Sequence, residues 1–539
     1  MADFITNYDK EQKLWEGLKK PKLCNENISA GEIALSMLRL KNPQDIMQIS
    51  DSENTTMTYG SALNIAIKIA KYFKSISLTG DDVVGIFSPD TTYVMSVALA
   101  AWFNGTPFQA INCRLETAVV ENLYDFSRPK IIFCDGLQYE KVKAACVNFQ
   151  PLIYTLSNHL ENVAKVEDLL QAASMDEELY QAQPLKYGSN QTMVILVSSG
   201  TSGMPKGVCV PNRMCVTDFS FTHANTKMFT SSSIDWSSGL LTFMANVLVG
   251  GTRIITTQPF TPEYLLEIIQ KYKINFLSTN PSNLLQTSLL KSYSQENMQS
   301  INLIFTAGSY CSEINLQHMR SVLTQGLLFY GYGGTETGGV SGRLNANKSK
   351  SVGRLLPNVQ LKIVEPESGQ RLGPGEIGEI CVNQGYEWCG YYNNAKATAE
   401  IVDSEGFIRT GDLGYMDEDN FLFLVGRCKD VMKFLGFQYS PQDIEEIIAE
   451  LPDILDVCVF GVYNEIQQDA SAAAVVKRED STLTEEQIIK YVESKTEVAH
   501  KIIHYGVFFV KELLRNQNGK LLREKIKIMC LEMEKNREC

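Results

Sequence analysis

The sequence predicts an α/β protein with mainly parallel sheets, and three changes of pattern along the chain support this. The first 200 residues alternate short apolar runs with helical patterns: Val83 to Phe87 predicts a strand, Tyr93 to Phe103 a helix, and Ile131 to Cys134 another strand. Between Gly353 and Trp388, short alternating runs separated by turn residues are typical of a small antiparallel or barrel-like unit. From Asp443 onward, helical and strand patterns mix again. The first alternation indicates βαβ units, whose ligands bind beyond the carboxyl ends of the strands.

A short polar segment predicts the boundary between two domains. Gly426 to Asp430 is led by glycine and fits a linker, with a large N-terminal domain over residues 1–427 and a smaller C-terminal domain over residues 431–539. The last segment, from Lys520 onward, has helical periodicity and many charges. It predicts a solvated terminal helix rather than a membrane anchor.

Composition and charge exclude several classes of protein. The 539 residues are 44% hydrophobic and 21% charged, values near the globular average, so a disordered or fibrous chain is excluded. The formal charge is −13, from 49 Lys and Arg against 62 Asp and Glu. Such a surface repels nucleic acid phosphates and anionic lipid, so we expect neither nucleic acid binding nor membrane insertion.

Cysteines, histidines and the chain ends predict a reduced, cytoplasmic protein without a metal cluster. The thirteen cysteines include no C-x-x-C pair, the closest two being Cys209 and Cys215, and the five histidines predict no metal site. The N-terminus is charged and lacks an apolar signal segment, and the most apolar long stretch, Trp236 to Gly251, has only 16 residues. The last three residues are not the S-K-L peroxisomal signal.

The first segment that carries chemistry is the loop Ser198 to Gly207, directly after the predicted strand Met193 to Val197. Its glycines let backbone N–H groups approach phosphate oxygens, its hydroxyls donate hydrogen bonds, and the ammonium of Lys206 neutralises charge, so the loop suits a polyphosphate. It is not a Walker A loop, because Gly207 instead of Ser or Thr follows the lysine. From this segment alone, a flexible Ser/Gly surface loop is the alternative.

Three further segments carry candidate binding residues. Tyr330 to Gly339 places aromatic rings and the carboxylate of Glu336 among glycines; a ring can stack on a base, and a carboxylate suits Mg²⁺ together with phosphates. In Arg409 to Tyr415, Asp412 sits in a turn where its carboxylate can accept both hydroxyls of a ribose, although an Asx cap is the alternative. Asn516 to Lys520 places one lysine on a turn.

These four segments, in this order, resemble those of the adenylate-forming superfamily, which includes acyl-CoA synthetases, 4-coumarate-CoA ligases, beetle luciferases and peptide synthetase adenylation domains. The match runs from Thr58 to Lys525 and includes LGPGEIGEICV, GYYNNAKATAE and RTGDLGYMDEDNFLFLVGRCKDVMKFLGFQYSPQDIE. The chain looks most similar to insect luciferase-like acyl-CoA ligases.

The resemblance implies both a fold and an activity. The implied fold is a large N-terminal α/β domain, made of two sheet-helix subdomains and a small β-barrel, with a small, mobile α+β C-terminal domain that turns about a hinge at residues 428–430. The implied reaction joins a carboxylic acid to AMP, releases pyrophosphate, and passes the acyl group to a thiol. ATP, Mg²⁺ and coenzyme A are the expected cofactors. A fatty or aromatic carboxylic acid is the expected partner, and the oligomeric state is open.

Matching positions assign roles to individual residues by similarity. Thr335 is expected near the α-phosphate, Glu336 on Mg²⁺, and Asp412 on the ribose with help from Arg427. The residues expected to bind ATP are Ser198, Ser199, Gly200, Thr201, Ser202, Gly203, Lys206, Gly308, Ser309, Gly331, Tyr332, Gly333, Gly334, Thr335, Asp412, Arg427 and Lys520.

Two lysines match the two halves of the reaction. Lys520 matches the lysine that pairs with the substrate carboxylate and the α-phosphate during adenylation. Lys433, Gly436 and Phe437 match the face that binds coenzyme A during thioester formation, and Gly436 would let the pantetheine arm pass close to the backbone.

Departures from the family pattern concern the acyl pocket. Where many relatives have a histidine or aromatic residue, Trp236 is the counterpart and Ser237 is next to it; Gly334 also borders the acid. A tryptophan can gate the pocket but cannot act as a base, and a purely packing role is the alternative. Asp218 replaces the arginine that helps beetle luciferases hold luciferin. An acyl-CoA ligase is therefore favoured, with a luciferase-type monooxygenase acting on another acid as the alternative and an inactive nucleotide-binding protein as a weaker one.

Overall fold

The computed structural model describes residues 4–21, 25–171, 179–198, 204–216, 219, 221–344, 348–435, 437–496, 498–516 and 519–538. The strands in these ranges are β1 Thr6–Asp9, β2 Leu14–Gly17, β3 Ile46–Ser50, β4 Thr55–Thr58, β5 Val84–Phe87, β6 Phe108–Ala110, β7 Ile131–Asp135, β8 Leu152–Ser157, β9 Thr192–Val197, β10 Gly207–Pro211, β11 Lys227–Thr230, β12 Thr252–Ile255, β13 Phe276–Thr279, β14 Leu303–Ala307, β15 Leu327–Gly334, β16 Gly338–Leu344, β17 Arg354–Leu355, β18 Gln360–Val364, β19 Gly378–Asn383, β20 Ile408–Met416, β21 Leu422–Arg427, β22 Met432–Phe434, β23 Phe437–Tyr439, β24 Ile454–Asn464, β25 Gln468–Lys477 and β26 Gly506–Phe509.

The α-helices in the same ranges are α1 Ala30–Leu40, α2 Tyr59–Ser75, α3 Val94–Phe103, α4 Thr117–Ser127, α5 Tyr139–Ala145, α6 Val166–Gln171, α7 Asn212–Cys215, α8 Ser237–Leu248, α9 Pro262–Tyr272, α10 Pro281–Ser288, α11 Gln295–Met298, α12 Glu313–Arg320, α13 Ala395–Ile401, α14 Pro441–Ile448, α15 Glu485–Lys495 and α16 Arg523–Glu538. The local sequence explains many helix starts: Thr261 and Ser440 each cap a helix whose next residue is proline, a residue with a backbone φ that already suits the first turn.

Two mainly parallel sheets form the larger part of the molecule, as the sequence predicts. The first has the order β10-β9-β6-β5-β7-β8, and the second has nine strands in the order β17-β16-β15-β14-β13-β11-β12-β3-β4. Strands β3 and β11 to β15 run parallel to one another, and antiparallel strands complete the ends of the sheet. The predicted strands and helix at Val83, Tyr93, Ile131 and Met193 are confirmed as β5, α3, β7 and β9 with ends shifted by at most one residue.

A helical layer joins these two sheets. Every residue of α3 is buried, and the ring of Trp102 meets Phe243 of α8 edge-on, with 5.1 Å between the ring centroids. Gly31 of α1 lies so close to the Trp102 carbonyl that an added Cβ would come within 2.0 Å of its oxygen. Helix α8, which directly follows the predicted acyl-pocket residue Trp236, is therefore held through its middle by packing in this helical layer.

The expected small β-unit is a six-stranded antiparallel sheet with the order β1-β2-β18-β19-β20-β21. Its first two strands come from the N-terminus, which the sequence analysis did not foresee. Among the described residues, the edge strands β1 and β21 are not hydrogen-bonded to each other, so the observed unit is a sheet, and closure into a barrel is not part of it.

The C-terminal part contains a mixed sheet with the order β23-β22-β25-β24, and β26 pairs with β25. It packs with its helices into a separate apolar cluster, which agrees with the predicted α+β character. The terminal helix α16 is solvated on one side only, because Ile526 and Cys530 are fully buried against this sheet. No helix in the described part of the chain is long and apolar enough to cross a membrane.

Candidate active site

A cavity of about 2090 Å³ opens where the carboxyl ends of β13, β14 and β15 meet the C-terminal part of the chain. This is the edge at which parallel sheets bind ligands. The predicted site residues that line it are Trp236, Ser237, Gly308, Ser309, Gly331, Tyr332, Gly333, Gly334, Thr335, Glu336, Asp412, Arg427 and Lys520. Residues separated by almost 300 positions in the sequence thus share one cleft.

Asp412 is held by a tyrosine and an arginine. Asp412 on β20 lies directly opposite Arg427 on β21, and Arg427 donates from Nε to Asp412 Oδ1 at 2.7 Å. The hydroxyl of Tyr332 donates to Asp412 Oδ2 at 2.8 Å. Burial, and then the carboxylate of Asp412, raise the pKa of Tyr332, so the tyrosine remains a neutral donor. These contacts fix a carboxylate at the cavity wall, with lone pairs available for a diol.

The turn between β15 and β16 presents Thr335 and Glu336. The hairpin is closed by the Gly334 N–H, which donates to the Thr337 hydroxyl at 3.0 Å. Glu336 accepts a hydrogen bond from the hydroxyl of Tyr391 at 2.9 Å through Oε1. Burial, and then the nearby charge of Glu336, raise the pKa of Tyr391.

The predicted phosphate loop connects the paired strands β9 and β10. Ser198 and Lys206 close its base, because the Ser198 N–H donates to the Lys206 carbonyl at 2.8 Å and the Lys206 N–H donates to the Ser198 hydroxyl at 3.0 Å. The Lys206 ammonium lies 5.1 Å from the centre of the Tyr391 ring. Ser198 and Lys206 lie outside the cavity lining. The remaining predicted residues of the loop, Ser199, Gly200, Thr201, Ser202 and Gly203, lie outside the described residues.

Gly308 and Ser309 follow β14 at the cavity edge. Gly308 has φ +97°, a left-handed conformation that glycine adopts without strain, and open space surrounds the position of a Cβ. The Ser309 carbonyl accepts a hydrogen bond from the Tyr330 hydroxyl at 3.3 Å. The turn therefore offers bare backbone to a flat ligand such as a base.

The segment with Lys520 lies against the N-terminal domain. A Cβ at Gly519 would come within 3.0 Å of the Asn280 side chain and 3.2 Å of the Ser282 side chain, so the two parts are in close contact here. The Lys520 N–H donates to Asn516 Oδ1 at 3.0 Å, which shapes the turn. Burial, and then the positive charge of Arg427, lower the pKa of Lys520 to about 8, although Asp412 opposes the shift. Lys520 thus lies near the charges of Arg427 and Asp412.

Trp236 directly precedes α8 and Ser237 is its first residue, and both line the cavity. The lining also includes Leu240 and Met244 of α8 and the stacked rings of Phe305 and Phe329, with 5.0 Å between ring centroids. An apolar acyl or aryl group fits such a lining.

The structure separates the second predicted lysine from the cavity. Lys433 is exposed on β22, where its N–H donates to Asp469 Oδ2 at 2.9 Å. Phe437 is 61% exposed and stacks on His500 with 4.9 Å between ring centroids. Neither residue lines the cavity, and Gly436 lies outside the described residues.

Tyr391, Asn280 and Ser282 are site residues that sequence reasoning missed. Their contacts with Glu336 and Gly519 join distant parts of the chain. Tyr391 lies in the matched segment GYYNNAKATAE, but nothing in that segment indicates a contact with Glu336. Among the described residues, no three His, Cys, Asp or Glu side chains cluster as metal ligands. The single carboxylate of Glu336 nevertheless fits Mg²⁺, which takes one or two protein carboxylates together with substrate phosphates.

Comparison with models of known families establishes the family of this chain. The model for AMP-binding enzymes matches residues 39–392, and the model for the AMP-binding enzyme C-terminal domain matches residues 443–520. The chain belongs to the AMP-binding enzyme family. The predicted membership of the adenylate-forming superfamily is thereby confirmed, and this AMP-binding enzyme has the family's α/β architecture with a smaller C-terminal domain.

Named relatives of this AMP-binding enzyme include CoA ligases. It is 32% identical over 347 residues to a probable 4-coumarate-CoA ligase 1 of Dictyostelium discoideum, covering 62% of this chain and 63% of that protein. It is 27% identical over 491 residues to 4-coumarate-CoA ligase 1 of Arabidopsis thaliana, covering 87% of each. The alignment thus spans less than two thirds of the Dictyostelium relative.

Solved structures show the same fold. ATP-bound MatB from Rhodopseudomonas palustris has a TM-score of 0.82 and 22% identity, with 94% of this chain and all (100%) of that chain covered. The luciferase-like enzyme from the nonluminescent mealworm Zophobas morio has a TM-score of 0.69 and 23% identity, with 76% and 98% covered.

Proposed function

We propose that this AMP-binding enzyme is an ATP-dependent ligase that joins a carboxylic acid to coenzyme A through an acyl-adenylate. The observation that supports this most is the convergence of Asp412, Tyr332, Arg427 and Lys520 beside an apolar pocket. The names of the 4-coumarate-CoA ligase relatives support the choice of a CoA thioester as product. The acid is a fatty or aromatic one, because apolar and aromatic side chains form much of the wall of the cavity that Trp236 lines.

In the first step, an oxygen of the acid attacks the α-phosphorus of ATP, the bond to the β-phosphate bridging oxygen breaks, and pyrophosphate leaves. Asp412 accepts hydrogen bonds from the ribose hydroxyls, and the 198–206 loop with Thr335 donates to phosphate oxygens. The Lys520 ammonium pairs with the acid carboxylate and the α-phosphate, which brings two anions together and stabilises the charge that develops between them. When bound, Mg²⁺ would be held by Glu336 and would neutralise phosphate charge.

In the second step, the coenzyme A thiolate attacks the acyl carbon, the carbon–oxygen bond to AMP breaks, and AMP leaves. The C-terminal domain, residues 431–539, turns about residues 428–430 and brings Lys433, Gly436 and Phe437 to the cleft. The exposure of Lys433 and Phe437 supports this proposal, because the observed arrangement leaves that face available. The cysteine thiols play no part in this scheme.

The luciferase-type alternative is not favoured. The relatives named above are CoA ligases, and the luciferase-like structure comes from a nonluminescent animal. No separate observation on the acyl pocket favours oxidation of the acid over transfer to a thiol.

Acid-dependent release of pyrophosphate from Mg·ATP tests the proposed function. We expect release only with certain fatty or aromatic acids, and mass spectrometry should find the acyl-CoA when coenzyme A is present. An acyl-adenylate that forms but never passes to coenzyme A would contradict the ligase assignment. ATP binding without any turnover would contradict the assignment of an enzyme.

The low pKa of Lys520 predicts how adenylation depends on pH. Because the ammonium form is the one that pairs with the two anions, kcat/KM for pyrophosphate release should fall as pH rises through about 8. Lys520→Arg should move this fall to higher pH, since a guanidinium stays protonated there. A wild-type profile that is flat across this region would contradict the role of Lys520.

Lys433→Ala should slow thioester formation and spare adenylation. Without Lys433 the proposed coenzyme A-binding face is incomplete. Transfer from a supplied acyl-adenylate to coenzyme A should then fall by about 10²-fold, because a misplaced thiol loses the advantage of proximity. Lys490→Ala is the matched control, since that lysine is 69% exposed on a helix of the same domain. Unchanged thioester formation would remove Lys433 from the proposed face.

A further inference from the structure

The loop that carries Trp236 into the cavity is tied to the first sheet by a hydrogen bond between a half-buried amide and a buried carboxylate. Asn112, which follows β6, donates from Nδ2 to Asp235 Oδ2 at 3.0 Å. Asp235 is 6% exposed and directly precedes Trp236. Trp236 and Ser237 line the cavity, whereas Asp235 does not. The pair is therefore placed to act on the cavity wall without touching a bound molecule.

Further polar groups, among them the buried Asp90 and Arg253, hold the same loop. Ser233 donates its hydroxyl to Asp235 Oδ1, and the Ile234 N–H donates to Asp90. Asp90, in turn, forms an ion pair with Arg253, which is 1% exposed and lies on β12 of the second sheet. The loop before α8 is thus fastened to residues from both sheets.

The charges of this cluster explain why a neutral donor faces Asp235. Burial raises the pKa of Asp235 to about 6, the hydrogen bonds from Ser233 and Asn112 oppose the shift, and the carboxylate of Asp90 adds to it. Arg253 is the cation paired with Asp90. A neutral amide at position 112 can hold Asp235 without adding charge, whereas a carboxylate there would add another anion next to Asp235 and Asp90.

We propose that Asn112 and Asp235 are positioning residues that set the place of Trp236 and thereby the range of acids accepted. This inference rests on the proposed function, in which Trp236 faces the acyl or aryl group of the acid. Loss of the hydrogen bond lets the loop shift, which changes the acid pocket, while Asp412 and its partners stay in place.

Exchange of the two side chains tests this directly. Asn112→Asp and Asp235→Asn, made singly, should each raise KM for the preferred acid by about tenfold, the expected loss for a hydrogen bond to a charged group. KM for ATP should change by less than about twofold, since the nucleotide contacts are untouched. The double variant again pairs one amide with one carboxylate, and KM for the acid should return to within about threefold of wild type.

The matched control is the surface pair of Asn148 and Asp125, an amide and a carboxylate with 3.4 Å between Nδ2 and Oδ1. The same exchange there should leave KM for acid and ATP unchanged. If Asn112→Asp does not fold, Asn112→Ala replaces it, because this change removes the donor without adding a charge.

Three results would overturn the inference: unchanged KM for the acid in the single variants, an equal rise in KM for acid and ATP, or no recovery in the double variant. Failure of the proposed function is distinguishable from all three, because wild type would then show no acid-dependent pyrophosphate release.

Discussion

Lys520→Ala should lower the rate of acyl-adenylate formation by about 10²- to 10³-fold, the effect of removing one preorganised donor from a charged transition state. The lysine lies on a turn that contacts Asn280 and Ser282 of the other domain, so it reaches the cavity lined by Arg427 and Asp412, which is the proposed nucleotide site. Transfer of the acyl group from a supplied adenylate to coenzyme A should change little. Single-turnover assays of each half-reaction provide the measurement.

Lys525→Ala is the matched control for this variant. Lys525 is exposed on α16, five residues beyond Lys520, and its loss should leave both half-reactions intact. Equal loss of adenylation and transfer in Lys520→Ala would show that the residue supports the structure in general, and would contradict its assigned role.

Asp412→Ala should weaken ATP binding by about tenfold to a hundredfold, as expected for loss of charge-assisted hydrogen bonds. Asp412 accepts hydrogen bonds from Arg427 and Tyr332, so its removal deprives both of their partner. It also removes the proposed acceptor for the ribose hydroxyls. The effect should appear in KM for ATP and in the affinity for AMP, measured by calorimetry.

Asp419→Ala serves as the control for Asp412. Asp419 lies in the turn after β20, and its side chain is 67% exposed and paired with Lys348. An exposed ion pair contributes little, so ATP binding should be unchanged. Unaltered ATP affinity in Asp412→Ala would contradict the assignment of the ribose site.

The sequence was most informative where chemistry is concentrated in short segments. The glycine-rich turn around Glu336, the strand with Asp412 and the turn with Lys520 say little when taken singly, but their order along the chain is recognisable, and the structure brings all three to one cavity. The alternation of strand and helix also predicted β5, α3, β7 and β9. These features depend on residues that are neighbours in the sequence.

Contacts between distant residues could not be predicted in this way. Tyr391 reaches Glu336 across 55 positions and Asn112 reaches Asp235 across 123, and neither pair shares a local pattern. The hairpin of β1 and β2 consists of two four-residue strands, too short for a clear periodicity, yet it joins the third sheet beside β18. Lys433 lies away from the cavity because of the way in which the two domains meet. Hydrophobic periodicity reports on single helices and strands, so it does not predict the arrangement of domains.

The central claim is that one acid passes through an adenylate to coenzyme A on this chain. Rapid-quench analysis of wild type with one accepted acid, Mg·ATP and coenzyme A tests it most directly, with acyl-adenylate and acyl-CoA followed by mass spectrometry. The account predicts that the adenylate forms first and then decays as the thioester and AMP appear in equal amounts. An adenylate that persists in the presence of coenzyme A, or a thioester that forms without one, would contradict it.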